Sequence, residues 1–146
     1  QLRLSLHKGG LRPDFNGDRG EHYCEYAFLP HNCGFSAQSV AQPAYELNYK
    51  PLVFAGARPM ASLLSSSAAN VMIETIKPCE DGGRAFIARV YEAEGTYTHA
   101  DLKLGFAASG IEATNMLEET QEVLPVGESL RLTFRPFEIK TLKFSY

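Results

Sequence analysis

The sequence predicts an all-β fold, an antiparallel β-sandwich of roughly eight or nine short strands with at most one short helix. Three observations lead there. Apolar and polar residues alternate with a period of two, most cleanly where Leu130, Leu132 and Phe134 interleave with Arg131, Thr133 and Arg135, which is the pattern of a strand with one buried face. Turn signals rich in Gly, Pro, Asn and Asp recur about every ten residues, the spacing of sandwiches and barrels. No helical pattern alternates with the strands, which argues against a parallel α/β sheet.

Taken in order, Leu2, Leu4 and Leu6 alternate with Arg3, Ser5 and His7 and predict a first strand. Gly9-Gly10 and the run from Pro13 to Asp18 supply turn chemistry,. Residues 22–29 read as a second strand, whose Tyr23, Tyr26 and Phe28 fall on both faces, so both faces are expected to be at least partly covered. Residues 36–49 are the one segment where a helix competes, because Val40, Ala44 and Leu47 approximate helical spacing; Pro43 predicts that the piece is short or kinked,. Leu52-Val53-Phe54 suggests a brief strand. Residues 55–69, rich in Ala, Ser, Gly and Pro, read as a loop or insertion within one domain spanning 1–146, with Leu63-Leu64 marginally strand-like. Strands then return at 71–76, 85–93, 100–106, 111–117, 130–134 and 138–146. The first two of these are expected to pair antiparallel across the Glu80-Asp81-Gly82-Gly83 turn,.

A chain of 146 residues buries a real core and suits one domain,. Its net charge of −3, with Lys and Arg scattered, leaves no electrostatic footprint for nucleic acid or an anionic membrane,. No stretch approaches the ~18 consecutive apolar residues of a membrane span. Three cysteines, Cys24, Cys33 and Cys79, cannot all pair with one another. An odd count without dense spacing favours free thiols and a cytoplasmic location over a Cys24–Cys33 bridge in an exported protein. The chain opens inside an alternating segment with no initiator Met, which suggests an excised domain or a processed protein.

His22, Cys24, His31 and Cys33 lie close in sequence, but the tight Cys-x-x-Cys or His-x-x-x-His spacing of structural zinc is missing, and buried cysteine commonly acts as a small hydrophobe. No thiolate-activating surroundings, nucleophile elbow or phosphate loop is evident. Acidic residues such as Asp14, Glu80, Asp81, Glu118 and Glu119 mostly sit at turn signals, so a local pair of catalytic carboxylates is not expected. Two polar clusters remain. Asp18-Arg19-Gly20-Glu21-His22 brings charge and a ring donor to the entry of an aromatic segment, a place suited to a wet cleft. Arg89-Val90-Tyr91-Glu92 sets Arg89 and Tyr91 on one strand face and Glu92 on the other. The bland alternatives are a strand-end hydrogen-bond network and an ordinary exposed pair.

These segments carry a resemblance. Leu4-Ser5-Leu6, Pro13-Asp14, the run Asp18 to His22 with Tyr26, Leu29-Pro30-His31, and Ala44-Tyr45-Glu46-Leu47-Asn48 come first. Glu74 to Glu80, Ala88 to Ala93, Asn115 to Glu118, and Phe134 to Leu142 follow in order. Together they resemble the C-terminal region of glycoside hydrolase family 38 α-mannosidases, most closely the cytosolic and bacterial branch. Leu6-His7-Lys8 departs from that pattern, and residues 55–69 have no counterpart in it. The resemblance implies a metal-dependent retaining exo-glycosidase that removes α-linked mannose from oligosaccharides. It also implies that the Asp nucleophile, the acid and the ligands of a divalent metal, usually zinc, lie in an α/β domain upstream of Gln1. On that basis no catalytic, cofactor or metal residue is expected here. The expected partner is the upstream catalytic domain, which a C-terminal β-sandwich packs against. Asp18, His22, Arg89 and Glu92 are the candidates for the domain interface or the cleft rim. An independent carbohydrate-binding module and a structural interaction sandwich are the alternatives; the first needs exposed aromatic platforms, which the strand pattern places mostly on buried faces.

Overall fold

The computed structural model describes residues 3–10, 12–56 and 61–146, and the packing divides the chain into two units, Gln1–Pro30 and His31–Tyr146. Within the first unit no strand forms among the described residues. The strand expected at 2–6 is corrected over its described part, Leu2 lying outside the described residues, and the strand expected at 22–29 is corrected throughout. Alternation says which face would be buried; a strand exists only where a neighbour completes its ladder. Tyr23, Tyr26 and Phe28 are exposed rather than covered. Local order comes from the predicted turn, where Asn16 N–H donates to Asp14 Oδ1 at 2.9 Å and Gly17 N–H to Asp14 O at 3.1 Å.

In the second unit the helical reading of 36–49 holds. A π-helical turn, Ala37–Ala41, runs directly into helix α1, Gln42–Asn48. Ser36 caps it, its hydroxyl accepting from Ser39 N–H at 3.0 Å,. Pro43 falls in the first turn of α1, where a missing N–H costs little. Leu52-Val53-Phe54 forms no strand and stands exposed, a further correction.

Among the described residues eight strands follow: β1 (Leu64–Ser66), β2 (Val71–Pro78), β3 (Ala85–Glu92), β4 (Thr98–Leu104), β5 (Gly110–Thr114), β6 (Thr120–Leu124), β7 (Ser129–Phe134) and β8 (Ile139–Ser145). They build a sandwich of a three-stranded sheet, β1-β4-β7, and a five-stranded sheet, β2-β3-β8-β5-β6, with every pairing antiparallel. The expected β2–β3 pairing forms, with a register shift between Ile73 and Thr75. β5 ends at Thr114, earlier than its apolar run suggests. β6 was not foreseen; its Thr-Gln-Glu-Val-Leu sequence is exposed nearly throughout and becomes a strand as the hairpin partner of β5,.

The core lies between the sheets. Phe86, Ala88 and Val90 of β3 meet Ala100, Leu102 and Leu104 of β4, Leu130, Leu132 and Phe134 of β7, and Leu142 and Phe144 of β8. Phe134 and Phe144 are fully buried, each contributing roughly 2–3 kcal/mol relative to exposure. Phe86 stacks on Phe144 at 5.2 Å and meets Phe106 edge-on at 5.3 Å, favoured geometries for aromatic pairs. The outer face of the larger sheet is covered as well, since Ile87 is wholly buried there beside Cys79 and Ala85. Its register neighbours are Lys77 and Lys143. Lys77 pairs with Glu118 at 2.5 Å and Lys143 with Asp81 at 2.8 Å, so the loops carrying those carboxylates are drawn over this face.

Candidate functional site

Among the described residues the most heavily bonded side chain is Glu92, at the end of β3. It is wholly buried, not on an exposed edge. Oε1 accepts from Glu94 N–H at 2.8 Å, Asn70 Nδ2 at 2.9 Å and Thr96 Oγ1 at 3.2 Å. Oε2 accepts from Gly95 N–H at 2.7 Å, Phe137 N–H at 3.0 Å and Thr96 N–H at 3.1 Å. The β3–β4 turn, the β7–β8 crossing and the start of β2 therefore share one carboxylate. Burial alone pushes the Glu92 carboxyl up, but the N–H donors of Phe137 and Glu94, with Asn70 and Thr96, bring it down to about 2,. Such a group is an anion at neutral pH with its acceptor positions filled. It can neither deliver a proton nor ligate a metal without dismantling the turns it holds.

Two features grow out of that knot. Phe137 has a left-handed backbone, φ 57°, and an exposed ring. Its Pro136-Phe137 turn is closed by Glu138 N–H donating to Arg135 O at 3.0 Å. The Gly95 side of the knot is small because a Cβ there would stand 2.7 Å from the Phe137 ring. In addition, the neighbouring Glu94 accepts Ala37 N–H at 2.7 Å, and Tyr45 of α1 meets Tyr91 hydroxyl to hydroxyl at 3.3 Å. Burial and that contact raise the Tyr45 phenol. The helix is thus tied to the same end of β3.

Arg89 faces the other side of the sheet, in one register row with Thr75, Thr141 and, beyond Thr141, Thr114. Its Nη2 reaches Met116 O at a long 3.5 Å, while Nε and Thr114 Oγ1 are buried without a hydrogen-bond partner. Arg89 and Glu92 therefore occupy opposite faces, as the spacing predicts, and do not act on each other.

In the first unit Asp18 and His22 do come together. His22 Nε2 donates to the Asp18 carbonyl at 2.5 Å, and the His22 ring lies on His7 with centroids 4.3 Å apart. Both candidates are exposed. Their contact is the strand-end type of network anticipated as the bland alternative, built here on a turn.

The divalent metal implied by the resemblance finds no donor set among the described residues. His31 Nδ1 lies 3.6 Å from Cys33 Sγ, which gives two donors. Among the described residues no group of three or more His, Cys, Asp or Glu is placed to hold a metal ion. Cys24, Cys33 and Cys79 are free thiols, the first two exposed. No helix is long and apolar enough to cross a membrane among the described residues. Sequence reasoning missed Asn70 and Thr96, the side-chain partners of Glu92; the only signal was a glutamate followed by Glu94-Gly95-Thr96, a turn able to aim N–H groups back at it.

Comparison with known proteins agrees with this architecture. Residues 70–142, half of the chain, match the model of the glycosyl hydrolases family 38 C-terminal beta sandwich domain. The chain is also similar to alpha-mannosidase 2C1 of Mus musculus, 31% identical over 150 aligned positions. That alignment takes in 97% of this chain and 14% of the mouse protein, so the chain spans about one seventh of its relative. The sandwich and the matched residues together place this chain in the family of glycoside hydrolase family 38 C-terminal β-sandwich domains.

Proposed function

We propose that residues 1–146 form the non-catalytic C-terminal part of a metal-dependent retaining α-mannosidase that hydrolyses terminal α-linked mannose. In this reading the chain packs on the upstream catalytic unit and helps to shape it. Membership of the family over residues 70–142 carries the proposal. The chemistry of the best-defined carboxylate supports it, since Glu92 is spent on holding turns. The exposed apolar side chains of Leu4, Leu6, Tyr23 and Phe28 in the first unit, and separately of Leu52, Val53 and Phe54 in the second, are what surfaces made to be covered would carry,. Asp18, His22 and Arg89 are the polar residues proposed to meet the catalytic unit or the cleft rim. Divalent metal, zinc first, would be bound upstream. The two exposed free thiols, Cys24 and Cys33, support a cytoplasmic location for the enzyme,.

The test uses the complete enzyme and the chain alone with an aryl α-mannoside and added zinc. Turnover is expected from the complete enzyme and none from the chain. Metal-dependent turnover by the chain alone would overturn the assignment. A second reading, an independent carbohydrate-binding module, draws on the exposed rings of Tyr97 and Phe137 at the two turns that Glu92 ties together. Calorimetric titration of the chain with mannobiose separates the two, because a module binds without its enzyme and a packing domain does not.

A further inference from the structure

The two sheets of the sandwich differ in width, and the mismatch is left on one side. β1 lies against β2 and closes the first side. Counted from there, the smaller sheet stops at its third strand, β7, whereas the larger continues through β8, β5 and β6. Beyond β7 a cavity of about 480 Å³ opens, with Leu132 of β7 on one wall and Ala113, Leu124 and Leu142 of the larger sheet on the other. Glu122 is in register with Ala113, which puts it on the inward face of β6, yet it is exposed. Among the described residues the inner face of β5–β6 therefore has no strand opposite it, and the core can be reached from this flank.

β7 differs from the other three edge strands. β1 is three residues long and already lies against β2. β2 carries a register shift and ends in Pro78. β6 presents Thr120, Gln121 and Glu122 and is paired to a β5 that shifts register between Ala113 and Thr114. Short length, bulges, proline and charge are the usual guards against unwanted strand addition. β7 has six residues in unbroken register with β4, and no proline. Its one charge, Arg131, is drawn sideways into a two-point bond with Asp101 at 2.8 and 3.0 Å.

The hydrogen-bond phase of β7 follows from one contact. Leu104 N–H donates to Glu128 O at 2.9 Å. In an antiparallel ladder the bonded pairs recur every second residue, so Leu130, Leu132 and Phe134 exchange bonds with β4. Ser129, Arg131 and Thr133 then turn their N–H and C=O groups toward the open flank.

We propose that β7 is a strand-acceptor edge, and that the occupant is an extended segment from the remainder of the α-mannosidase polypeptide, apolar on alternate residues and covering Ala113 and Leu124. This rests on the packing role proposed above and names its surface. A segment of the same polypeptide is favoured because the chain spans only 14% of its relative and a tethered strand acts at a local concentration on the order of millimolar. A second copy of the chain fits less well, since a two-fold β7–β7 ladder centred on the strand brings two Arg131 side chains together.

Amide hydrogen exchange tests this in the complete enzyme against the chain alone. In the chain alone, Ser129, Arg131 and Thr133 should exchange freely while Leu130, Leu132 and Phe134 are slow. In the complete enzyme the same three amides should slow by about a hundredfold or more, the protection of a paired strand. If they stay fast while other parts of residues 31–146 gain protection, packing stands and this edge is not its site. If nothing in residues 31–146 gains protection, the packing role falls and this inference with it. Concentration-dependent protection of these amides in the chain alone, together with a dimer in sedimentation, would name a second copy instead and overturn the proposal.

Discussion

A carboxylate taken out of water ordinarily drifts toward its neutral form, and Glu92 goes the other way only because six donors converge on it,. Its carboxyl is lowered from 4.5 to about 2. A depressed carboxyl stabilises the folded chain fully above the unfolded value and loses that contribution as pH falls through the folded one. Stability should therefore decline between pH 4.5 and about 2, by roughly 3 kcal/mol from this group. Glu92→Gln removes the charge and turns an amide NH2 against peptide N–H groups, so at pH 7 it should cost roughly 3 kcal/mol in urea unfolding. The variant should also lack this part of the acid decline. A variant as stable as the parent at pH 7 would show that the knot is not held by charge. Position 92 was legible in sequence as the far face of Arg89, but its burial was not. Its partners come from Asn70, 22 residues before it, and Phe137, 45 after, and nothing local in the chain announces that convergence.

Among the elements, β1 shows how a strand of three residues can be held. Gly105, just past β4, donates its N–H to Leu63 O at 3.0 Å, and a Cβ at Gly105 would lie 2.0 Å from the Ser62 carbonyl oxygen. That neighbour is backbone and cannot swing aside. Gly105→Ala should therefore push β1 off β4 and destabilise by about 2–4 kcal/mol, measured by thermal unfolding, and loosen the closed side where β1 meets β2. An unchanged midpoint would mean that β1 contributes nothing there. The strands that were legible, β2, β3, β4, β5, β7 and β8, are those that place apolar residues in the core between the sheets. The segments at 22–29 and Leu52-Val53-Phe54 show the same residue types without a partner strand among the described residues of their own units, and β6 shows pairing without the pattern. Periodicity reports burial; pairing depends on neighbours that are distant in the chain.

At the scale of the whole molecule, stability and recognition are carried by different residues. Every buried apolar residue among the described ones lies at or beyond Ala37, and the described residues of Gln1–Pro30 contribute none. The motif that makes the sequence recognisable near its start, Asp18 to His22, is therefore not there to hold the sandwich together. A chain beginning at His31 should keep a single cooperative transition. Its melting temperature should fall within about 3 °C of the full chain's, a difference of no more than about 1 kcal/mol at this size. The complete enzyme should respond differently to the same region. Asp18→Ala and His22→Ala should lower its activity on an aryl α-mannoside while leaving the melting of the chain alone unmoved, because both side chains are exposed here and are proposed to meet the catalytic unit. Calorimetry on the two chain lengths and kinetics on the complete enzyme measure both halves. Loss of the cooperative transition on removing residues 1–30 would make that segment part of the fold. Unchanged activity in both variants would take Asp18 and His22 out of the interface.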